Sequence, residues 1–385
     1  MLKVMHITSG DLWAGAEVTV CTLLHGLNSY PDVSLSVIVL NEGRLAKELR
    51  AKGITVWVVD EDHLSFSLLV RKAHDLVSSN SPHIIHAHRY KENLLAFLAS
   101  MGTSRPALIS TLHGLPEISD KRPSLFDRCK FKFNFFLLSR FFARTIAVSS
   151  DIGNQLHERY GFINNRLKVI HNGVTYQKKC NICTAASKAH FTIGSSGRLS
   201  PVKDFPLFIE IARIIAEQEP EVRFELAGEG PVRAHLERLL DAYGLRDRFV
   251  LCGHIDEMDS FYDGLDLYLN TSRYEGIPMT ILEAMARGIA VVAPRVGGIR
   301  EIITTGKDGF LIDGRDPRSF ADKCLQLYGD RRLRNDISMS ARAKVIREFS
   351  AVKMVDTYYR LYCEIVSTAH VDGSRCSPVV GRPFP

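Results

Sequence analysis

Glu275 and Glu283 lie eight residues apart in the stretch EGIPMTILE, with Gly276, Pro278 and Thr280 between them. A carboxylate here would repel a phosphate, so its natural partners are sugar hydroxyls. Pro278 suits a first helical turn, where a missing N–H costs nothing, and Gly288 suits the helix end. The amides of Met279 and Thr280 are then free to meet an anion such as a diphosphate. Upstream, in SSGRLSPVKDFPLFIE, Arg198 and Lys203 occupy a loop between a strand and a helix. Arginine brings a planar fork and lysine a mobile point charge, so together they read as an anion clamp. Taken singly, each also reads as a solvated loop charge. Likewise the glutamates alone read as a helix-start carboxylate and a surface one. That plainer account leaves the Gly-x-Pro and the clamp unexplained. Glu283 is therefore expected to hold a ribose diol and Glu275 the transferred sugar.

Positioning these groups requires a scaffold. At 385 residues the chain is too long for one compact core. Short apolar runs alternate with helical patterns from VMHIT (4–8) to TIAVSS (145–150), and again from FTIGSSG (191–197) to GFLID (309–313). Such alternation implies parallel sheets covered on both faces. The expected fold is α/β, with two tandem Rossmann-like doubly wound domains facing a central cleft, where strand carboxyl ends place ligands. The boundaries read as 1–175 for a first domain, 176–190 for a linker, 191–348 for a second domain and 349–369 for a final helix, and 370–385, rich in Gly and Pro, reads as a disordered tail.

In this order, the motifs WAGAEVTV, HIIHAH, STLHG, AVSS, VIHNGV, GRLSPVKD, LAGEGP, EGIPMTILEAMA and VGGIREII resemble the retaining glycosyltransferases of the GT-B fold, in the fourth sequence family (glycosyl transferases group 1, polysaccharide-assembly type). The resemblance covers nearly the whole chain, and it implies that 1–175 binds the acceptor, that 191–348 binds the nucleotide sugar and that the helix over 349–369 packs back on the first domain. It implies that Arg198 and Lys203 bind the donor diphosphate, Glu283 the ribose and Glu275 the donor sugar. It implies that the Met279 and Thr280 amides cap the phosphate beside Gly276. The turn of Gly253, His254 and Ile255 would line the base. His113 matches the family's active-site histidine, and Gly15 the second glycine of its N-terminal Gly-Gly loop, whose first position is Ala14 here. No metal and no cofactor are implied. The donor is a nucleotide sugar, with UDP favoured over GDP on family grounds, and the acceptor a hydroxyl of a lipid-linked or saccharide intermediate of cell-surface polysaccharide assembly. A nucleotide-sugar epimerase and a non-catalytic nucleotide-sugar-binding protein are the alternative readings.

His88 ends a strand, so it is read as touching the acceptor; His86 and His83 lie on or before the same run. None has metal-ligand spacing with carboxylates. Lys121 to Arg144 interleaves seven cations with phenylalanines and one acid, Asp127. This segment reads either as peripheral contact with an anionic membrane or as a domain helix burying Phe133, Phe136 and Leu137. The net charge of +6 is mild and no recognition motif is present, so nucleic acid is not an expected partner. Cys180 and Cys183 form a lone C-x-x-C with no second pair to complete a zinc site. With no secretory signal and no apolar run of roughly 18 residues, the expected location is the cytoplasm, peripheral on the inner face of the membrane.

Overall fold

A computed structural model describes residues 1–10, 13–114, 125–162, 165–176 and 190–369. Lys121, Arg122, Cys180, Cys183, most of the expected linker and the tail from 370 lie outside the described residues. The chain divides into two compact units, Met1–Gly173 with Ala351–Pro385, and Val174–Ser350.

The first unit runs β1 (Leu2–Thr8), α1 (Gly15–Leu27), β2 (Val33–Val39), α2 (Arg44–Ala51), β3 (Thr55–Val58), α3 (Phe66–Asn80), β4 (Ile84–Ala87), α4 (Tyr90–Ser100), β5 (Ala107–Leu112), α5 (Leu125–Phe141), β6 (Arg144–Ala147), α6 (Ser150–Tyr160) and β7 (Leu167–Val169). Its seven strands are ordered β3-β2-β1-β4-β5-β6-β7, all parallel. Strand order reverses between β1 and β4, so ligand-facing residues are expected beyond their carboxyl ends. The second unit runs β8 (Thr192–Ser196), α7 (Phe205–Gln218), β9 (Arg223–Ala227), α8 (Arg233–Ala242), β10 (Phe249–Gly253), α9 (Met258–Gly264), β11 (Leu267–Leu269), α10 (Met279–Ala286), β12 (Ala290–Pro294), α11 (Ile299–Ile302), β13 (Phe310–Ile312), α12 (Pro317–Gly329) and α13 (Arg331–Glu348). Its parallel order is β10-β9-β8-β11-β12-β13, with the reversal between β8 and β11. The stretches carrying Arg198 with Lys203, and Glu275 with its helix, follow these two strands.

The last helix, α14 (Ala351–Ala369), belongs to the first unit. Its apolar face, with Met354, Val355, Tyr358, Leu361, Tyr362 and Ile365, joins the core made by β1, β2, β4, β5 and α1. Polar bonds fix its register: the Tyr359 hydroxyl donates to Asp32 at 2.6 Å, and the Tyr359 ring stacks on Tyr30. Strand β7 and helix α9 are absent from the sequence expectations. Both are short, and β7 has no apolar run, being half-exposed Leu-Lys-Val.

Candidate functional site

The second unit joins two loops at its switch point. Beyond β8, Arg198 is exposed and, among the described residues, has no ion pair or side-chain hydrogen bond. Its loop is fixed from below by the LAGEGP segment. Leu199 N–H donates to the Glu229 carbonyl at 2.8 Å, and Gly197 N–H to the Ala227 carbonyl at 2.9 Å. A Cβ on Gly228, whose φ is +139°, would sit 1.9 Å from the Gly197 carbonyl oxygen, so only glycine lets these strands of backbone meet. Lys203 ends a short 3-10 turn, Pro201–Lys203. Its Nζ reaches Glu275 Oε1 at 2.5 Å, with side chains only 21% and 13% exposed. Ser272 Oγ donates to the same carboxylate oxygen at 2.6 Å.

Further bonds hold Lys203 and Glu275 in register. Asp204, a non-glycine residue in the left-handed region at φ 49°, accepts from Arg315 and from Arg273 Nε. Arg315 also donates to the carbonyls of Thr271 and Ser272, at 2.6 and 3.0 Å. Thr271 Oγ1 donates to the Lys203 carbonyl at 3.0 Å, and Arg273 N–H to the Val202 carbonyl at 2.7 Å. Behind Glu275, Gly298 N–H donates to its carbonyl at 3.0 Å. A Cβ on Gly297 (φ +46°) would stand 2.0 Å from that carbonyl oxygen, which explains the first glycine of VGGIREII.

Gly276 is buried, and Pro278 caps α10 rather than opening its first turn, one position earlier than the sequence reading placed it. Its extended ψ of 116° is what a residue just outside a helix adopts. Met279 and Thr280 remain the first two helical residues, whose amides have no intrahelical acceptor. Glu283 Oε2 accepts from the Tyr262 hydroxyl at 2.6 Å, and burial holds the Glu283 carboxyl above the ordinary range. The Arg287 guanidinium lies over the Tyr262 ring at 4.9 Å. Tyr262 was missed by sequence reasoning, because Phe261-Tyr262 in a short helix carries no signal beyond core aromatics. The Gly253, His254, Ile255 turn ends β10 next to LAGEGP, with Gly228 N–H donating to the Gly253 carbonyl at 2.7 Å. His254 is exposed and near Asp256, and Ile255 is half-buried.

Gly15, His88 and His113 lie in the first unit. Gly15 opens α1 and is exposed; Ala14 before it has φ −129°, a region open to any residue, so the alanine is accommodated. Glu17 fixes that turn, accepting from Ala14 N–H at 3.3 Å and from Arg89. Glu92, buried at the start of α4, accepts from Ser9 N–H and Oγ at 3.0 and 2.5 Å, and burial raises its pKa. Sequence reasoning missed both carboxylates, since acidic residues in a first turn read as dipole partners.

The expectation that His88 touches an acceptor is corrected. It is only 3% exposed, and its ring nitrogens face His6 Nδ1 at 2.9 Å and His113 Nε2 at 3.3 Å. His86 is buried too, facing Tyr362 Oη at 2.6 Å and Thr111 Oγ1 at 2.8 Å. Nitrogen atoms of His6, His86 and His88 lie within 4.8 Å of one another, near enough to consider a metal. The His6–His88 separation of 2.9 Å is a hydrogen bond. It is shorter than the roughly 3.3 Å between two nitrogens sharing one tetrahedral zinc. The set as arranged is hydrogen-bonded imidazole, not a coordination shell. In α5 the buried face is Asn134, Phe135, Leu137 and Leu138, while Phe133, Phe136 and Phe141 are exposed at 48%, 57% and 46%. The expected burial of Phe133 and Phe136 is therefore corrected, that of Leu137 observed. No helix among the described residues is long and apolar enough to cross a membrane.

Residues 184–344 match the family described as Glycosyl transferases group 1, and residues 13–178 match Glycosyltransferase Family 4. An Escherichia coli UDP-Gal:alpha-D-GlcNAc-diphosphoundecaprenol alpha-1,3-galactosyltransferase is 26% identical over 295 residues, 74% of this chain and 76% of that protein. The N-acetyl-alpha-D-glucosaminyl L-malate synthase of Bacillus anthracis is 26% identical over 311 residues, covering 77% and 79%. Among solved structures, Anabaena HepE in complex with UDP and glucose is similar with a TM-score of 0.81 at 22% identity, over 94% of this chain and 99% of that one. At such identity the likeness is one of fold.

The buried imidazoles make a pH prediction. Burial lowers all four, His6 and His113 to about 3. In the unfolded chain they take up protons below about 6.5, whereas in the fold they resist until far lower pH. Their contribution to stability is therefore complete above pH 6.5 and is lost as pH falls towards 3, at up to about 1.4 kcal/mol per pH unit for each histidine. Urea unfolding should show a midpoint that drops steadily from pH 7 to pH 5; a flat midpoint over that range would contradict the burial of neutral imidazoles.

Proposed function

Because the chain belongs to the glycosyltransferases, family 4 and group 1, of the GT-B type, we propose that it moves a sugar with retention from a nucleoside diphosphate sugar, UDP before GDP, to a hydroxyl of a lipid-linked or saccharide acceptor. The observation that carries this reading is the contact of Lys203 with Glu275, at the switch point of the second unit's sheet. A cation and a carboxylate so close provide adjoining places for a diphosphate and for the sugar attached to it. The E. coli relative's name, with a UDP-sugar and a diphosphoundecaprenol acceptor, and the UDP held by the Anabaena protein support the substrate classes.

Arg198, Lys203 and the first amides of α10 take the negative charge that grows on the leaving diphosphate. These groups do the work for which other enzymes recruit a divalent metal, so the reading includes no metal requirement. Glu283, held by Tyr262, receives the ribose hydroxyls. Glu275 is engaged by Lys203 and Ser272, which suits a group that orients sugar hydroxyls better than a free nucleophile. A double displacement would need a carboxylate pressed on the anomeric carbon. The acceptor accordingly attacks from the side the diphosphate leaves, and a diphosphate oxygen takes the acceptor's proton. As the family resemblance implies, His113 of the first unit is assigned to the reacting centre.

Arg198→Ala and Lys203→Ala should each lower turnover by about a hundredfold or more, in buffer containing EDTA, while circular dichroism stays native. Near-wild-type rates in either variant would remove the clamp, and a strict need for added Mg²⁺ would remove the metal-free reading.

The exposed Phe133, Phe136 and Phe141 of α5 stand beside exposed Lys130, Lys132 and Arg140. That combination supports peripheral binding to an anionic membrane, on the inner face of the cell membrane where a lipid-linked acceptor would be met. Lys130→Gln with Lys132→Gln should weaken binding to phosphatidylglycerol vesicles by roughly tenfold or more, at about 1 kcal/mol for each cation. Sedimentation unchanged from wild type would leave α5 a domain helix only.

A further inference from the structure

Tyr358 and Tyr362 of α14, together with Thr111, His6, His86 and His88, form one hydrogen-bonded file that ends at His113. Its polarity follows from counting donors, because a buried O–H or N–H is expected to find an acceptor. The Tyr358 hydroxyl is buried, and its one partner among the described residues is Thr111 Oγ1 at 3.0 Å, so it donates there. Thr111 must then give its own proton to its other partner, His86 Nε2, at 2.8 Å. A neutral imidazole has one N–H, so the His86 proton is on Nδ1 and goes to Tyr362 Oη at 2.6 Å. Tyr362 in turn donates to His6 Nε2, across a long 3.5 Å. His6 keeps its proton on Nδ1, directed at His88 Nε2 at 2.9 Å. His88 then carries its proton on Nδ1, facing His113 Nε2 at 3.3 Å. His113 Nε2 is therefore an acceptor, and its proton sits on Nδ1, a buried atom with no hydrogen-bond partner among the described residues. The opposite polarity would strand the Tyr358 hydroxyl proton with no acceptor and leave His113 Nδ1 a bare lone pair.

We infer that Tyr362, Thr111, His6, His86 and His88 are positioning residues that lock His113 in the Nδ1–H tautomer, so that it presents a hydrogen-bond donor to an oxygen of the nucleotide sugar. In that tautomer the ring can donate to a hydroxyl or diphosphate oxygen without first moving its proton. Desolvation keeps each ring neutral, which the one-proton count requires. The consequence for turnover rests on the proposed reading of His113 as a residue at the reacting centre. The tautomer itself is read on the protein alone, so failure of the one is distinguishable from failure of the other.

The test is long-range proton–nitrogen correlation NMR of the full chain labelled with ¹⁵N-histidine, with the His113 signal identified by its loss in His113→Gln. Wild type should show His113 as a single Nδ1–H tautomer. Tyr362→Phe removes one oxygen that is not in contact with His113, yet it cuts His6 from its donor. The His6–His88–His113 segment then has no preferred direction, and two His113 tautomers should appear. Turnover should fall about twofold where they are equally populated. Thr111→Val breaks the file at a second link with nearly the same volume and should have the same spectral effect, so misfolding of one variant leaves the other decisive. An Nε2–H tautomer of His113 in the wild type would overturn the inference. So would an unchanged His113 signal in the folded variants. One equivalent of zinc in the purified protein, lost in His6→Ala, would replace the file by coordination and overturn it as well.

Discussion

A lysine and a glutamate that are mostly out of solvent depend on each other. Lys203 and Glu275 each bring a charge into a setting where, unpaired, it would be costly, and the contact at 2.5 Å answers that cost. Pairing alone does not keep two loops in register. Asp204 and Arg315 supply the rest, one backbone-strained and the other donating to both Thr271 and Ser272 carbonyls. The arrangement is a prepared electrostatic surface: a cation for a diphosphate, a carboxylate for hydroxyls, and the open amides of α10 nearby in sequence. A ligand entering it replaces one partner of an existing ion pair and need not order a loop.

The first unit applies the same principle with neutral groups. Its imidazoles lie within β1 and β4 and just beyond β4 and β5, and the hydroxyls that meet them come from Thr111 of β5 and Tyr362 of α14. His86 and Tyr362 are 276 residues apart in sequence. The final helix therefore does more than cover an apolar sheet face. It closes a polar file that would otherwise end in orphaned donors, and it ties the state of His113 to the integrity of the unit's core.

What the sequence made legible divides along physical lines. Most strands of both sheets, β7 excepted, were readable because parallel strands buried on both faces give near-continuous apolar runs, as in SLSVIVL and IAVVAP. Lys203 with Glu275 was readable as two separate binding groups, since charge and helix-start chemistry are local properties; their mutual contact was not, being set by loop closure across 72 residues. Tyr262 and Tyr362 gave no signal, because a tyrosine in an apolar helix is indistinguishable from core until the partner of its hydroxyl is known. His88 misled for a related reason: a strand's carboxyl end predicts nearness to a site, whereas what the side chain can reach depends on His6 and His113 on either side of it. In α5 the interleaving of Phe and Lys obscured which aromatics face inward, and Phe135 took the place expected of Phe133 and Phe136.

The measurement closest to the central claim is a crystal structure of the chain grown with UDP. The account predicts diphosphate oxygens within about 3 Å of Lys203 Nζ and of the Arg198 guanidinium, with the Met279 and Thr280 amides directed at them. Density for UDP elsewhere, with Lys203 still closed on Glu275 and Arg198 in solvent, would contradict it.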